Sequence, residues 1–366
     1  MGDSSKSNER IKELEDELKK TKYNKKTQFH VGLVKAKIAV IKEKQMRIAA
    51  GKSSPPTVKK TGDATVILIG FPSVGKSTLL NAITKANSKV AAYAFTTLEC
   101  IPGLMEYKHA KIQILDVPGI VAGASKGTGR GKESLSYAMS ADLALIIVDV
   151  FYPEHLEVIL HEIHDYNLRL NQRKPDVKIE RKPYGGIDVG TTVKLTKLDE
   201  ETIVAILKEF RIMNANVVLR EDIDAEQFID VLEGNKKYIP SVVALNKIDM
   251  ADEKQIEMIK RILKPDVLIS AEMKINLDEL KEMVFHKLNL MRVFCKEAGK
   301  KADLDVPLIM RTDSTLSDMC EKLHRDFVRK FRYARVWGKS ARFQGMPIRK
   351  LHHKLMDGDV VELHIG

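Results

Sequence analysis

The hydrophobic pattern changes period along the chain, and the changes mark its elements. From 8 to 22, Ile11, Leu14 and Leu18 recur at helical spacing among charges. From 28 to 48, Val31, Val34, Ile38 and Ile41 form one stripe with lysines elsewhere. With the polar stretch Tyr23-Asn24-Lys25-Lys26 between them, this predicts an antiparallel helical hairpin, dry on one face and basic on the other. Gly51-Lys52-Ser53-Ser54-Pro55-Pro56 reads as a linker. Beyond it come largely apolar runs at 65–69, 112–115, 143–148, 242–245 and 267–269. Such runs predict buried strands of a parallel sheet, hence an α/β fold.

About ninety residues separate the runs at 143–150 and 241–245. A single crossover helix needs far fewer, so 165–238 is predicted to be an inserted α/β subdomain. It holds strands at 191–195 and 216–219 and helices near 200–211 and 225–233. After a helix over 277–290, a strand at 306–310, an amphipathic helix over 315–330 and strands at 334–337 and 360–365 predict a small β-grasp unit. Trp337, the only tryptophan, reads as core.

Chemistry enters with Gly70-Phe71-Pro72-Ser73-Val74-Gly75-Lys76-Ser77, the full G-x-x-x-x-G-K-[ST] phosphate loop. It lies between a strand and the helix start Thr78-Leu79-Leu80, as the mechanism requires. Backbone N–H groups of the loop cradle phosphate oxygens, and the helix N-terminus adds partial positive charge. Lys76 would reach the β/γ-phosphates and Ser77 would bind Mg²⁺. The strand at 242–245 runs into Asn246-Lys247-Ile248-Asp249. A carboxylate at 249 can accept from N1–H and N2–H₂ of guanine. Adenine offers neither donor, which leaves the carboxylate unpaired at a cost of about 1–3 kcal/mol or more. Asn246 would brace the loop and contact the base, and the Lys247 stem would cover one ring face. Ser270-Ala271, after the next strand, is suited to offering a backbone N–H to the guanine oxygen.

Between these motifs, the strand at 112–115 ends in Asp116-Val117-Pro118-Gly119. Asp116 would hold Mg²⁺ through water, and the Gly119 N–H would sense the γ-phosphate. Upstream, Phe95-Thr96-Thr97 supplies a hydroxyl, Thr97 in preference to Thr96, that completes the magnesium shell while the γ-phosphate is present. Hydrolysis would release both loops. Lys76, Thr97 and Gly119 are therefore the candidate catalytic groups. Ile120 occupies the place where a Gln orients water in Ras-like proteins, so unaided hydrolysis should be slow, on the order of 10⁻³ s⁻¹ or below. Arg130 is either a surface switch residue or an arginine finger in cis.

Taken in order, these motifs and the run Gly123-Ala124-Ser125-Lys126-Gly127-Thr128-Gly129-Arg130-Gly131 resemble the Obg-type GTPases. Nearly the whole chain is similar to their developmentally regulated GTP-binding (DRG) branch. The resemblance implies a helical hairpin and linker at 1–60, a P-loop G domain at 61–290 carrying an α/β insertion at about 165–238, and a ubiquitin-like TGS domain at 291–366. It also implies potassium-stimulated hydrolysis. Potassium-using relatives often carry Asn where this loop has Ser73, so ligation of K⁺ by that side chain is not carried over. A dedicated regulatory protein is implied as partner, making the chain a monomer or a heterodimer.

Composition adds a second function. The net charge is +11, yet residues 19–60 carry a net +12 and 322–354 a net +10, which leaves −11 on the rest. Two basic segments on an acidic body are the footprint of a polyanion binder, and a ribosome or other structured RNA is the expected partner. Phe331, Tyr333 and Phe343 interleave with Lys330, Arg332, Arg335 and Arg342, as on RNA-binding faces. No run approaches the roughly 18 apolar residues of a membrane span. Scattered Cys100, Cys295 and Cys320 suggest reduced thiols in a cytoplasmic protein. The sequence thus predicts a Mg²⁺-dependent GTPase switch acting on the ribosome. A nucleotide-holding scaffold with little turnover and an ATPase of the same fold stay open as alternatives.

Overall fold

Strands that are apolar on both faces must be covered on both, and this governs the architecture. The structure, a computed structural model, describes residues 2–22, 24–25, 27–50, 62–84, 101–116, 138–165 and 167–366. The chain divides into two compact units, residues 1–55 with 172–238, and 56–171 with 239–366.

In the larger unit a six-stranded sheet is built from β1 (Ala64–Ile69), β2 (Ile101–Tyr107), β3 (Ala110–Asp116), β4 (Leu143–Asp149), β5 (Ser241–Asn246) and β6 (Val267–Leu268). Their order is β6-β5-β4-β1-β3-β2, parallel throughout except for β2, which pairs antiparallel with β3. Every residue of β1 and β4 is buried. Helices Lys76–Ile83 and Leu277–Lys287 supply the apolar cover on one face, and His155–Asp165 and Glu253–Leu263 on the other. The chain leaves β1 for β3 on one side and returns to β4 on the other. That makes the carboxyl end of β1 the topological switch point, where open α/β sheets bind ligands.

The same unit ends in a five-stranded β-grasp. Strand Leu290–Cys295 pairs with Leu308–Arg311 and with Asp359–Ile365, and Phe331–Trp337 pairs with Asp359–Ile365 and Met346–Ile348. The helix over 315–330 is two helices, Leu316–Leu323 and Arg325–Lys330. His324 breaks it by taking extended angles, and its ring Nδ1 accepts from the Asp326 N–H at 3.2 Å, capping the second piece. Trp337 is not core. It is half-buried, and Lys296 sits over its ring at 4.7 Å from the centroid.

The smaller unit joins the N-terminal hairpin to the inserted segment. Ile11 and Leu14 of helix Gly2–Lys20 meet Val34 and Ile38 of helix Gln28–Ala50. The second helix is dry on two sides, not one. Ala36 enters the core formed by Ile203, Ile206, Leu207 and Phe228 of the insertion. Gln28 donates to the Lys197 carbonyl at 2.7 Å, and Lys35 pairs with Glu226 at 2.7 Å. The insertion's own sheet has strand Ala215–Leu219 between Val177–Arg181 and Ile187–Thr191. The strand expected at 191–195 therefore lies about four residues earlier.

Candidate nucleotide site

At its carboxyl end β1 runs directly into the phosphate loop. Gly70 is fixed by close approach, because a Cβ there would stand 2.7 Å from the Ile147 carbonyl oxygen. Gly75 has a φ of +93°, and its Cβ would stand 2.5 Å from Asn246 Nδ2. Neither position tolerates a side chain. Ser73, at a φ of 63°, also takes the left-handed conformation. The chain then enters helix Lys76–Ile83, whose cap Gly75 supplies no side-chain bond. Its first-turn N–H groups stay available to an anion. Pro72, Ser73, Ser77 and Thr78 are exposed on the loop, Val74 is buried beneath it, and Phe71 is half-buried at its shoulder.

Lys76 Nζ donates to the carbonyls of Gly70 at 2.9 Å and Phe71 at 2.8 Å. Burial lowers its pKa, and the charge of Asp116 opposes that shift. Asp116, at the end of β3, is raised by burial and pulled back by Lys76. Its Oδ1 is buried without a hydrogen-bond partner. An orphaned carboxylate oxygen close to Lys76, whose neighbour in the chain is the hydroxyl-bearing Ser77, fits a hydrated Mg²⁺.

Asn246 joins three segments. Its Nδ2 donates to the Val74 carbonyl at 2.7 Å, and its Oδ1 accepts from the Ala271 N–H at 3.0 Å. Lys247 follows in the left-handed conformation and pairs with Asp149 at 2.7 Å. The next residues form a single 3₁₀ turn, Ile248–Met250, that leaves the Asp249 carboxylate exposed. Ser270 is fully buried, and its Oγ accepts from the Met273 N–H at 3.0 Å. The Ser270 N–H donates to the Ile275 carbonyl at 3.3 Å. Both N–H groups of Ser270-Ala271 therefore already have acceptors, and a base carbonyl would share the Ala271 donor with Asn246.

One edge of the sheet thus gathers residues 70–78, Asp116, Asn246, Lys247, Asp249, Ser270 and Ala271. Phe95, Thr96, Thr97, Val117, Pro118 and Gly119, together with Ile120 and Arg130, lie outside the described residues. Asp149 was missed by the sequence reading. It holds Lys247, and its Oδ1 accepts from the Phe151 N–H at 2.9 Å. The signal that flagged Asp116, an acid closing an apolar strand, was present there too. Among the described residues no cluster of three or more His, Cys, Asp or Glu side chains could hold a metal, and no helix is long and apolar enough to cross a membrane.

Comparison with known proteins shows the family. Residues 65–182 match the family described as 50S ribosome-binding GTPase, 184–290 the C-terminal region of that domain, and 291–365 the TGS domain. The fold and site define a P-loop GTPase domain followed by a TGS domain. An uncharacterized GTP-binding protein of Methanocaldococcus jannaschii is 54% identical, over 100% of this chain and 94% of its own. Developmentally-regulated G-protein 2 of Arabidopsis thaliana is 42% identical, over 97% of this chain and 90% of its own. The developmentally-regulated GTP-binding protein 1 homolog of Dictyostelium discoideum is also 42% identical, over 97% and 98%. The chain belongs to the developmentally regulated GTP-binding proteins. Among solved structures, the Schizosaccharomyces pombe YchF GTPase aligns over 85% of this chain and 100% of its own, at 14% identity and a TM-score of 0.44.

Proposed function

We propose that this GTP-binding protein is a Mg²⁺-dependent switch that hydrolyses GTP slowly by itself and acts on the ribosome or another structured RNA. The observation that carries the nucleotide half is Asn246, bonded at once to the phosphate loop and to the Ser270-Ala271 segment. Asp249, three residues on from this brace, has its carboxylate exposed, which suits it to pair with a guanine edge. Lys76 and the first-turn N–H groups would bind the phosphates, while Ser77, Thr97 and Asp116 (through water) would hold Mg²⁺. When bound, Mg²⁺ neutralises charge developing on the phosphate oxygens. Gly119 would report the γ-phosphate. Ile120 cannot orient water, so a monovalent cation such as K⁺, a regulatory protein or the RNA itself would supply the acceleration.

The RNA half is supported by the distribution of charge. In the TGS domain Arg325, Arg329, Arg335, Arg342 and Arg349 are exposed, and none has an acidic partner among the described residues. Lys20, Lys22, Lys25 and Lys44 extend the same character onto the hairpin. Such surfaces bind phosphate backbones with a steep salt dependence. Single-turnover GTP hydrolysis in sodium and then potassium, with and without ribosomes, tests the whole reading. Acceleration by K⁺ or ribosomes is the expected result. Absence of turnover in every condition would favour a nucleotide-holding scaffold, the reading that Ile120 supports.

A further inference from the structure

The phosphate loop carries one contact that nucleotide chemistry does not account for. Phe71 stacks on His155, ring centroids 3.9 Å apart and planes 21° from parallel. His155 also stacks with Tyr152, at 5.2 Å and 16°, and Tyr152 is 52% exposed. The ring is brought there by the tight turn after β4, in which the Tyr152 N–H donates to the Asp149 carbonyl at 3.0 Å and the His155 N–H to the Tyr152 carbonyl at 3.2 Å. Asp149 of that turn is the partner of Lys247. His155 Nδ1 is buried and has no hydrogen-bond partner. A buried polar nitrogen without a partner is costly, so the imidazole is held in place by its stacked faces.

From this geometry we infer that His155 is a positioning residue for the phosphate loop, acting through the Phe71 ring on the backbone that holds Lys76. The inference rests on the nucleotide reading above. The physical path is short. The imidazole clamps the Phe71 ring, and the Phe71 carbonyl is one of two acceptors of the Lys76 ammonium, at 2.8 Å. Loosening the ring lets the peptide between Phe71 and Pro72 rotate, and the ammonium loses the position from which it reaches phosphate. Aromatic stacking contributes modestly per pair, so the effect is graded.

The test uses the full chain and a fluorescent GDP analogue, with GTP turnover measured alongside. His155→Ala should weaken GDP binding about three- to tenfold. His155→Phe, which keeps the ring and discards the nitrogens, should restore binding. His155→Gln, which keeps a polar nitrogen and discards the ring, should behave like alanine. If glutamine binds as well as wild type and phenylalanine does not, the nitrogen is the operative atom and the proposal is overturned. Alanine binding equal to wild type overturns it too. Should His155→Ala fail to fold, Phe71→Leu removes the stack from the other side. It should weaken binding to the same degree, and adding His155→Gln should cost nothing more; additive losses refute the path. Wild-type protein that binds no guanine nucleotide at all would instead sink the parent reading.

Discussion

The two edges of the central sheet treat their polar groups in opposite ways. At the amino edge each group is closed by a neighbour. Asp63, before β1, accepts from the Lys111 N–H at 2.9 Å and pairs with Lys322 at 3.4 Å. Asp142, before β4, accepts from the Thr65 N–H at 2.9 Å and pairs with Arg311 at 3.2 Å. Asp266, before β6, accepts from the Val243 N–H at 2.8 Å and pairs with Lys287 at 3.6 Å. The device repeats: an aspartate just ahead of one strand accepts from an N–H near the start of a neighbouring strand, and a cation pairs with it. Lys322 and Arg311 belong to the TGS domain, so the edge also anchors that domain. At the carboxyl edge Asp116 Oδ1 is orphaned and Asp249 is exposed. Polar groups closed by protein stabilise; those left open cost desolvation and, on the proposed reading, serve a ligand.

The most forceful way to break this contrast is at Asp249. Asp249→Asn should weaken GTP binding by roughly 10⁴-fold, because a site built to pair with specific donors rejects a mismatch by that order. Xanthosine triphosphate should recover the loss, and isothermal titration with both nucleotides measures it. Unchanged preference would mean the exposed carboxylate is not the base-reading group. Because the side chain is exposed, the melting temperature of the free protein should hardly move.

Asn246 sharpens the contrast, since its amide, at the carboxyl edge, is bonded to protein through both its oxygen and its nitrogen. Asn246→Ala leaves the Val74 carbonyl and the Ala271 N–H without partners inside the protein. It should cost about 2–4 kcal/mol in urea unfolding, together with nucleotide affinity. Wild-type stability with impaired binding would show that the amide serves the ligand alone.

The amino edge makes the converse prediction. Asp142→Ala removes a backbone cap and an ion pair whose cation is half exposed. A loss of about 1–2 kcal/mol is expected, with GDP affinity unaltered. A change in affinity without a change in stability would mean that the two edges are coupled through β1 and β4.

Sequence exposed the carboxyl edge and hid the amino one. The phosphate loop, Asp116 and Asn246–Asp249 follow apolar runs at fixed spacing, and that spacing is itself the chemistry. Asp63, Asp142 and Asp266 stand just as regularly before strands, but a capping aspartate looks like any loop aspartate until the neighbouring strand is known. The second dry side of helix Gln28–Ala50 stays hidden for a related reason. Gly32 and Ala36 lie outside the stripe of Val31, Val34, Ile38 and Ile41, yet a Cβ at Gly32 would stand 2.7 Å from Thr202 Cγ2. Small residues there allow close approach to the insertion, which a search for one apolar stripe overlooks. The helix over 315–330 misled because its apolar period runs on past His324, while backbone angles at one residue break it.

The gentlest probe is Glu282, at the amino edge where β2 turns into β3. It accepts from Tyr107 Oη, pairs with Lys108 at 2.6 Å and faces His286 at 2.6 Å. The Lys108 and Tyr107 hydrogen bonds hold its pKa down at about 2, from an ordinary 4.5. Tyr107, donating to the carboxylate, is pushed up to about 12 from 10.0. A depressed carboxylate stabilises above its unfolded pKa, so this contribution is complete above pH 4.5 and disappears as pH falls toward 2. A raised phenol stabilises below its unfolded pKa, so its share is lost as pH rises from 10 toward 12. Both groups are half-buried at the rim of the sheet, within reach of solvent, and screening keeps the gain to about 1 kcal/mol. Glu282→Gln should therefore lower the urea midpoint slightly at pH 7 and flatten its decline between pH 4.5 and 2. Half-molar salt should shrink the difference from wild type. Parallel acid limbs for the two proteins would show that this cluster is solvated surface and takes no part in closing the amino edge.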